Sequence, residues 1–220
     1  RKIGAYELPE NWRIVAAGNR DGDRGVTHRM PSPLANRLIH LDFSLDLDDW
    51  CTWAVQNAID TTVIAFLRFR SNQLHDFDAA KNPRAFPSPR SWSFVSQIIS
   101  KNSLSAHEEL EMLAGTVGEG AAGEFKAFRD TLKDMPNIDK ILLTPDEVPV
   151  PTAPAIKYAV STALAQRATS NNFDRVLKYA DRMDPEFQVV LVRDALKRDA
   201  SVGDTASFNK WAIANASALV

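Results

Sequence analysis

Four prolines fall within the eleven residues of TPDEVPVPTAP (144–154). Proline fixes φ near −65° and removes a backbone donor, so no continuous helix passes through such a stretch. The chain must therefore be assembled from a part before it and a part after it, joined by a linker or a strapped turn. Beyond it, AIKYAVSTALAQRAT, NNFDRVLKYADRM, DPEFQVVLVRDALKRD and TASFNKWAIANASALV read as four helices. Asn172 and Asp184 stand as caps, and Pro185 occupies a first helical turn, where proline is tolerated. No repeat of fixed period connects these four.

The part before the prolines is helical from Asp46 onward. LDLDDWCTWAVQNA carries acids in its first turn, where the helix dipole favours them, and TTVIAFLRFR spaces its apolar residues at helical period. Both read as amphipathic helices. PRSWSFVSQIIS, SAHEELEMLAG and GEGAAGEFKAFRDTLKDM supply three more, with Gly115, Gly118 and Gly120 punctuating the last two. Only further upstream does the character change. RIVAAG (13–18) and RLIHLDF (37–43) are short, apolar, partly β-branched runs bounded by polar turn residues, the pattern of buried strands, with a helix around SPLAN between them.

The expectation is a mainly α chain in three parts: a remnant of an α/β core over 1–43, a helical domain over 44–144 and a helical extension over 145–220. Its 220 residues, 45% of them hydrophobic, suffice for one large core or two small ones. A net charge of −2 gives no general attraction to nucleic acid or to an anionic membrane, so neither is expected as a partner. The longest apolar runs are four or five residues, against roughly 20 for a membrane span. The single cysteine, Cys51, rules out an internal disulfide and suits a reducing, cytoplasmic setting. RKIGAYELPENW lacks the pattern of a signal peptide and does not begin with methionine, so the chain reads as a cut piece.

Three residues carry candidate chemistry. Asn19 follows the apolar run RIVAAG, and in open α/β sheets the carboxyl ends of strands face the ligand crevice, where an amide can hold a water or a phosphate oxygen. Alone, an asparagine there can equally satisfy its own turn. Arg37 follows a helix and opens the next apolar run, where a cation also simply suits the helix dipole. Arg90 departs from local logic. In AFPSPRSWSF, Ser88 is the N-cap and Pro89 the first helical residue, so Arg90 lies in a first turn, where the dipole disfavours a cation by about 0.3–1 kcal/mol. An anion there reverses that penalty, because free backbone N–H groups at a helix start together with a guanidinium form a phosphate site. An arginine turned away to a surface acid is the competing explanation.

In order along the chain, these stretches resemble the C-terminal half of a MoxR-like AAA+ ATPase. IGAYELPENWRIVAAGN is similar to the approach to sensor 1 and its strand, PSPLANRLIHLDF to the arginine-finger segment, and PSPRSW to sensor 2. The resemblance implies that Asn19 orients the attacking water and that Arg37 reaches the γ-phosphate held by a neighbouring subunit. It implies that Arg90, in a helical lid domain, senses the same nucleotide. ATP and Mg²⁺ would be the cofactors of the intact protein, a ring of identical subunits its assembly, and a von Willebrand factor A domain protein a partner. The resemblance covers residues 3 to about 144, and the helices after the prolines look like the extension of a bacterial subgroup.

One departure governs activity. The phosphate loop G-x-x-x-x-G-K-[ST] and the metal-binding acid that completes it are both missing. The only glycine-rich stretch, GTVGEGAAGEF, has no lysine in place and carries Glu119 and Glu124 instead. By that reading the chain lacks an N-terminal half, and by itself it neither hydrolyses ATP nor binds it tightly. No metal site is expected either: His28, His40, His75 and His107 are scattered, HEELE (107–111) lacks a second histidine, and DGD (21–23) lacks the other ligands of a calcium loop. The alternative class is a helical protein-interaction adaptor, without nucleotide chemistry, using the amphipathic segments of 152–220.

Overall fold

The computed structural model describes residues 2–18, 30–78, 84–101 and 103–215. The chain is mainly α, and the residues up to Phe43 group apart from those that follow.

In the first group, strands β1 (Lys2–Ile3) and β2 (Tyr6–Glu7) form an antiparallel pair with Lys2 opposite Glu7 and Ile3 opposite Tyr6. The turn between them needs Gly4 at φ +60°, a conformation that costs glycine little. Helix α1 (Ser32–Ala35) is one turn, with Pro33 near its start. The buried strands expected over 13–18 and 37–43 are not formed among the described residues. Val15, Ile39 and Leu41 are instead 91, 92 and 79% exposed, and no described side chain from residue 4 to 43 is buried. Apolar patterning marks residues suited to burial, but a strand persists only where a neighbour takes its N–H and C=O groups. These residues have the side chains of a sheet without the sheet.

The second group is a succession of helices. Helices α2 (Leu47–Gln56), α3 (Thr61–Phe69), α4 (Pro89–Ile99), α5 (Ala106–Val117) and α6 (Glu119–Thr131) surround a first apolar cluster. Asp46 caps α2 by accepting from the Asp49 N–H at 2.9 Å, and Asp60 caps α3 through the Thr62 N–H at 2.7 Å. Helix α3 is not the amphipathic element its spacing suggests. All six residues from Val63 to Arg68 are buried, so it runs through the middle of the fold rather than along its surface. At the centre of the cluster the Phe66 ring lies 5.2 Å from Trp92, 5.3 Å from Phe125 and 5.5 Å from Phe128. Buried Trp92 keeps its indole N–H satisfied by donating to the Gln73 carbonyl at 2.6 Å.

Helices α7 (Ile138–Leu143), α8 (Pro154–Arg167), α9 (Phe173–Ala180), α10 (Pro185–Arg198) and α11 (Ala206–Ala214) close on a second cluster around Phe173, Tyr179, Phe187 and Leu191. The proline-rich stretch is a strap, not a free linker. Arg182 donates to the carbonyls of Pro145 and Val148, the latter at 2.9 Å, and the Tyr179 hydroxyl donates to Pro149 at 3.0 Å. These bonds give the strap's carbonyls donors where its prolines supply no N–H. The boundary expected at 144/145 is only partly a division, because Ile141 already belongs to the second cluster while Ala155 and Ala159 of α8 belong to the first.

Candidate functional site

Arg90 stands exposed in the first turn of α4, on a segment fixed from several sides. Ser88 and Ser91 form a reciprocal cap: the Ser91 N–H donates to Ser88 Oγ at 3.1 Å, and the Ser88 N–H donates to Ser91 Oγ at 2.8 Å. The preceding loop is held by the Asp76 N–H donating to Pro87 at 3.1 Å and by Phe77 packing on Phe86 with ring centres 4.7 Å apart. Behind it lies the α5–α6 junction, where Gly118 comes so close that a Cβ would stand 3.2 Å from the Ala85 carbonyl oxygen.

This geometry corrects one part of the anion-site argument. The helix start was expected to offer several free N–H groups, yet the reciprocal cap uses those of Ser88 and Ser91, and Pro89 has none. What remains is the Arg90 N–H, its guanidinium and the partial positive charge of the helix end, about half an elementary charge. The N-cap and first-turn proline themselves are as the sequence predicts. Arg90 forms no ion pair among the described residues, so the competing explanation, an arginine turned to a surface acid, finds no partner there.

Arg37 lies in the turn after α1, its N–H donating to Leu34 at 3.1 Å and its side chain exposed. It belongs to the first group and Arg90 to the second. Asn19 and the DGD stretch lie outside the described residues.

The glycine-rich stretch does not fit a triphosphate. Gly115 lies inside α5 and Gly120 inside α6, while Gly118 at the junction uses its N–H on Ala114 and its carbonyl on Ala122. The start of α6 has no side-chain cap, but it offers no lysine, and Glu119 and Glu124 would repel phosphate. Among the described residues no three His, Cys, Asp or Glu side chains gather as a metal site. Likewise, no described helix is long and apolar enough to cross a membrane.

The most deeply buried charges are ones the sequence does not single out. Arg68 of α3 and Asp194 of α10, with side chains 4 and 7% exposed, meet with Arg68 Nη2 donating to both carboxylate oxygens at 2.6 and 2.7 Å. They are 126 residues apart, and no local pattern announces the pair. Burial pushes the Asp194 carboxyl above the usual range while the Arg68 guanidinium pulls it back down. Beside them burial raises the Cys51 thiol to about 11, which makes it a poor nucleophile.

Comparison of the chain with protein-family models, curated proteins and solved structures finds no match.

Proposed function

We propose that this chain is the sensor and lid portion of a MoxR-like AAA+ ATPase, which couples ATP hydrolysis to the remodelling or activation of a partner protein. The observation that carries the reading is Arg90: a cation placed where its own helix disfavours it, held on a fixed turn, exposed and without an acid partner among the described residues. A terminal phosphate supplies the missing counter-charge. Arg37 does the same from a neighbouring subunit of a ring, and Asn19 orients the water. The nucleotide's cradle and its Mg²⁺ ligands come from residues other than these, since the glycines around 118 do not fit that role. The uncovered apolar side chains of 13–18 and 39–41 agree with a sheet completed by further protein. A von Willebrand factor A domain protein is the partner class this reading implies.

The test is nucleotide retention in the ATPase that contains this chain. Arg90→Ala should weaken ATP retention or turnover, whereas replacement of Lys126, exposed on α6, should change neither. If Arg90→Ala retains and turns over ATP as the unaltered protein does, the assignment is wrong.

A second reading, a helical adaptor without nucleotide chemistry, draws on Leu143 of α7 and Ile213 of α11, large apolar side chains left exposed on the α7–α11 helices. It requires that Asn19, Arg37 and Arg90 all be replaceable without loss.

A further inference from the structure

The helices α2–α6 and α7–α11 each surround their own apolar cluster. Where α3 and α2 meet α8 and α10, the chemistry changes. Besides the Arg68–Asp194 pair, Asp48 of α2 lies 3.7 Å from Arg68 Nη1 and accepts from Arg193 Nη2 at 2.6 Å, and Lys197 donates to Thr52 at 2.6 Å. Ser161 and Thr162 of α8 are buried, and neither hydroxyl has a partner among the described residues. The Nε of Arg68 and that of Arg193 likewise have no partner among the described residues.

As an adhesive this seam is poor. Desolvating the Arg68–Asp194 pair offsets much of its Coulombic attraction, and apolar residues of similar volume would fill the space at lower cost. What the pair does supply is geometry, because Arg68 Nη2 reaches both Asp194 oxygens, at 2.6 and 2.7 Å, only while α3 and α10 hold the carboxylate facing that nitrogen. Helix α8 offers the first cluster Ala155 and Ala159, whose small side chains form no knobs to resist sliding.

We propose that Arg68 and Asp194 form a register pin, which selects one placement of the α7–α11 helices on the α2–α6 helices while adding little to the strength of their association. The alignment of the two sets of helices, rather than their cohesion, then depends on the pair. This inference does not rest on the nucleotide reading.

Cys51 provides the probe. It is buried beside the same charges, so a thiol reagent reaches it only when the seam opens. The experiment compares Asp194→Asn with the double variant Arg68→Met/Asp194→Leu in the whole chain, measuring the urea midpoint and the rate of Cys51 labelling without denaturant. Asp194→Asn should lower the midpoint, since it strands a buried guanidinium. The double variant should keep the midpoint of the unaltered protein or exceed it, yet label Cys51 at least tenfold faster, because the halves no longer hold one alignment. A double variant that labels at the original rate overturns the proposal, since the apolar pair would then fix alignment equally well. A double variant that loses its midpoint, or fails to fold, overturns it too, because the pair would then be supplying cohesion.

Discussion

Gly118 allows a sharp test of how the Arg90 turn is held. It ends α5 and begins α6 with φ +87° and ψ 155°, a region that residues with a Cβ essentially do not occupy. Alanine there should incur about 1–3 kcal/mol of backbone strain. Its methyl carbon would also stand 3.2 Å from the Ala85 carbonyl oxygen, so the loop three residues before the Ser88 cap must give way by a few tenths of an ångström. Overpacking against backbone adds about 1 kcal/mol. The sum, about 2–4 kcal/mol, divided by a urea m-value of about 2 kcal/mol/M, lowers the midpoint by about 1–2 M. Gly123 is the matched control: it lies within α6, is exposed, and an added Cβ would meet nothing within 4 Å. Gly123→Ala should therefore stabilise by about 0.5–1 kcal/mol through helix propensity alone. Urea denaturation followed by circular dichroism measures both. A neutral Gly118→Ala, or a Gly123→Ala as damaging as its neighbour, would refute the claim that conformation and close approach at residue 118 set the α5–α6 junction.

Three further outcomes follow from the packing and the caps. Phe66→Ala, which removes a ring in contact with Trp92, Phe125 and Phe128, should cost about 3–5 kcal/mol in denaturant unfolding; less than about 2 would mean that the first cluster collapses around the gap. Ser105 donates to the Glu108 carboxylate through its hydroxyl at 2.6 Å and its N–H at 2.8 Å, holding that group below the usual carboxylate range. The unfolded chain then binds the proton more readily, so this contribution is present above the ordinary glutamate value of 4.5 and is lost as pH falls through the lower folded value. Amide exchange in the first turn of α5 should quicken across that window and Glu108→Gln should abolish the acid dependence, so equal acid sensitivity in the variant would contradict the assignment. Cys51, with its thiol raised to about 11 by burial, should resist thiol reagents at pH 8 in the folded protein and react on unfolding; rapid native labelling would show that the seam is not closed.

Much of the helical architecture is legible in the sequence because its signals are local. Ser88 and Pro89 open α4 where cap chemistry places them, and Pro185 opens α10 in the same way. The four helices expected after the prolines are the four from α8 to α11. Caps are read less well than helix starts. Asn172 and Asp184 occupy cap positions but turn their side chains elsewhere, Asn172 to the Thr169 N–H and the Arg167 carbonyl, and Asp184 to Lys157. What the sequence conceals is non-local. A strand needs a neighbour that the pattern of 13–18 cannot supply, and helix α3 looks one-sided until α8 is seen to cover its other face. The partnership of Arg68 with Asp194 exists only once α10 lies against α3. Helix α7 escapes the pattern because six residues are too few to show a period. Of the candidate site, residue identities and the Arg90 turn are readable; that Ser91 consumes a donor an anion would use is a matter of side-chain geometry.

The most direct test of the nucleotide reading is the turnover of the assembled ATPase carrying Arg37→Ala. An arginine that acts across a subunit boundary stabilises transition-state charge without holding the ground-state nucleotide. The proposal predicts ATP binding within a fewfold of the unaltered protein and a turnover lower by about 10³, the scale of an arginine finger. It also predicts partial recovery when these subunits are mixed with subunits that retain Arg37 but cannot bind ATP. Normal turnover by Arg37→Ala in an assembled ring would contradict it.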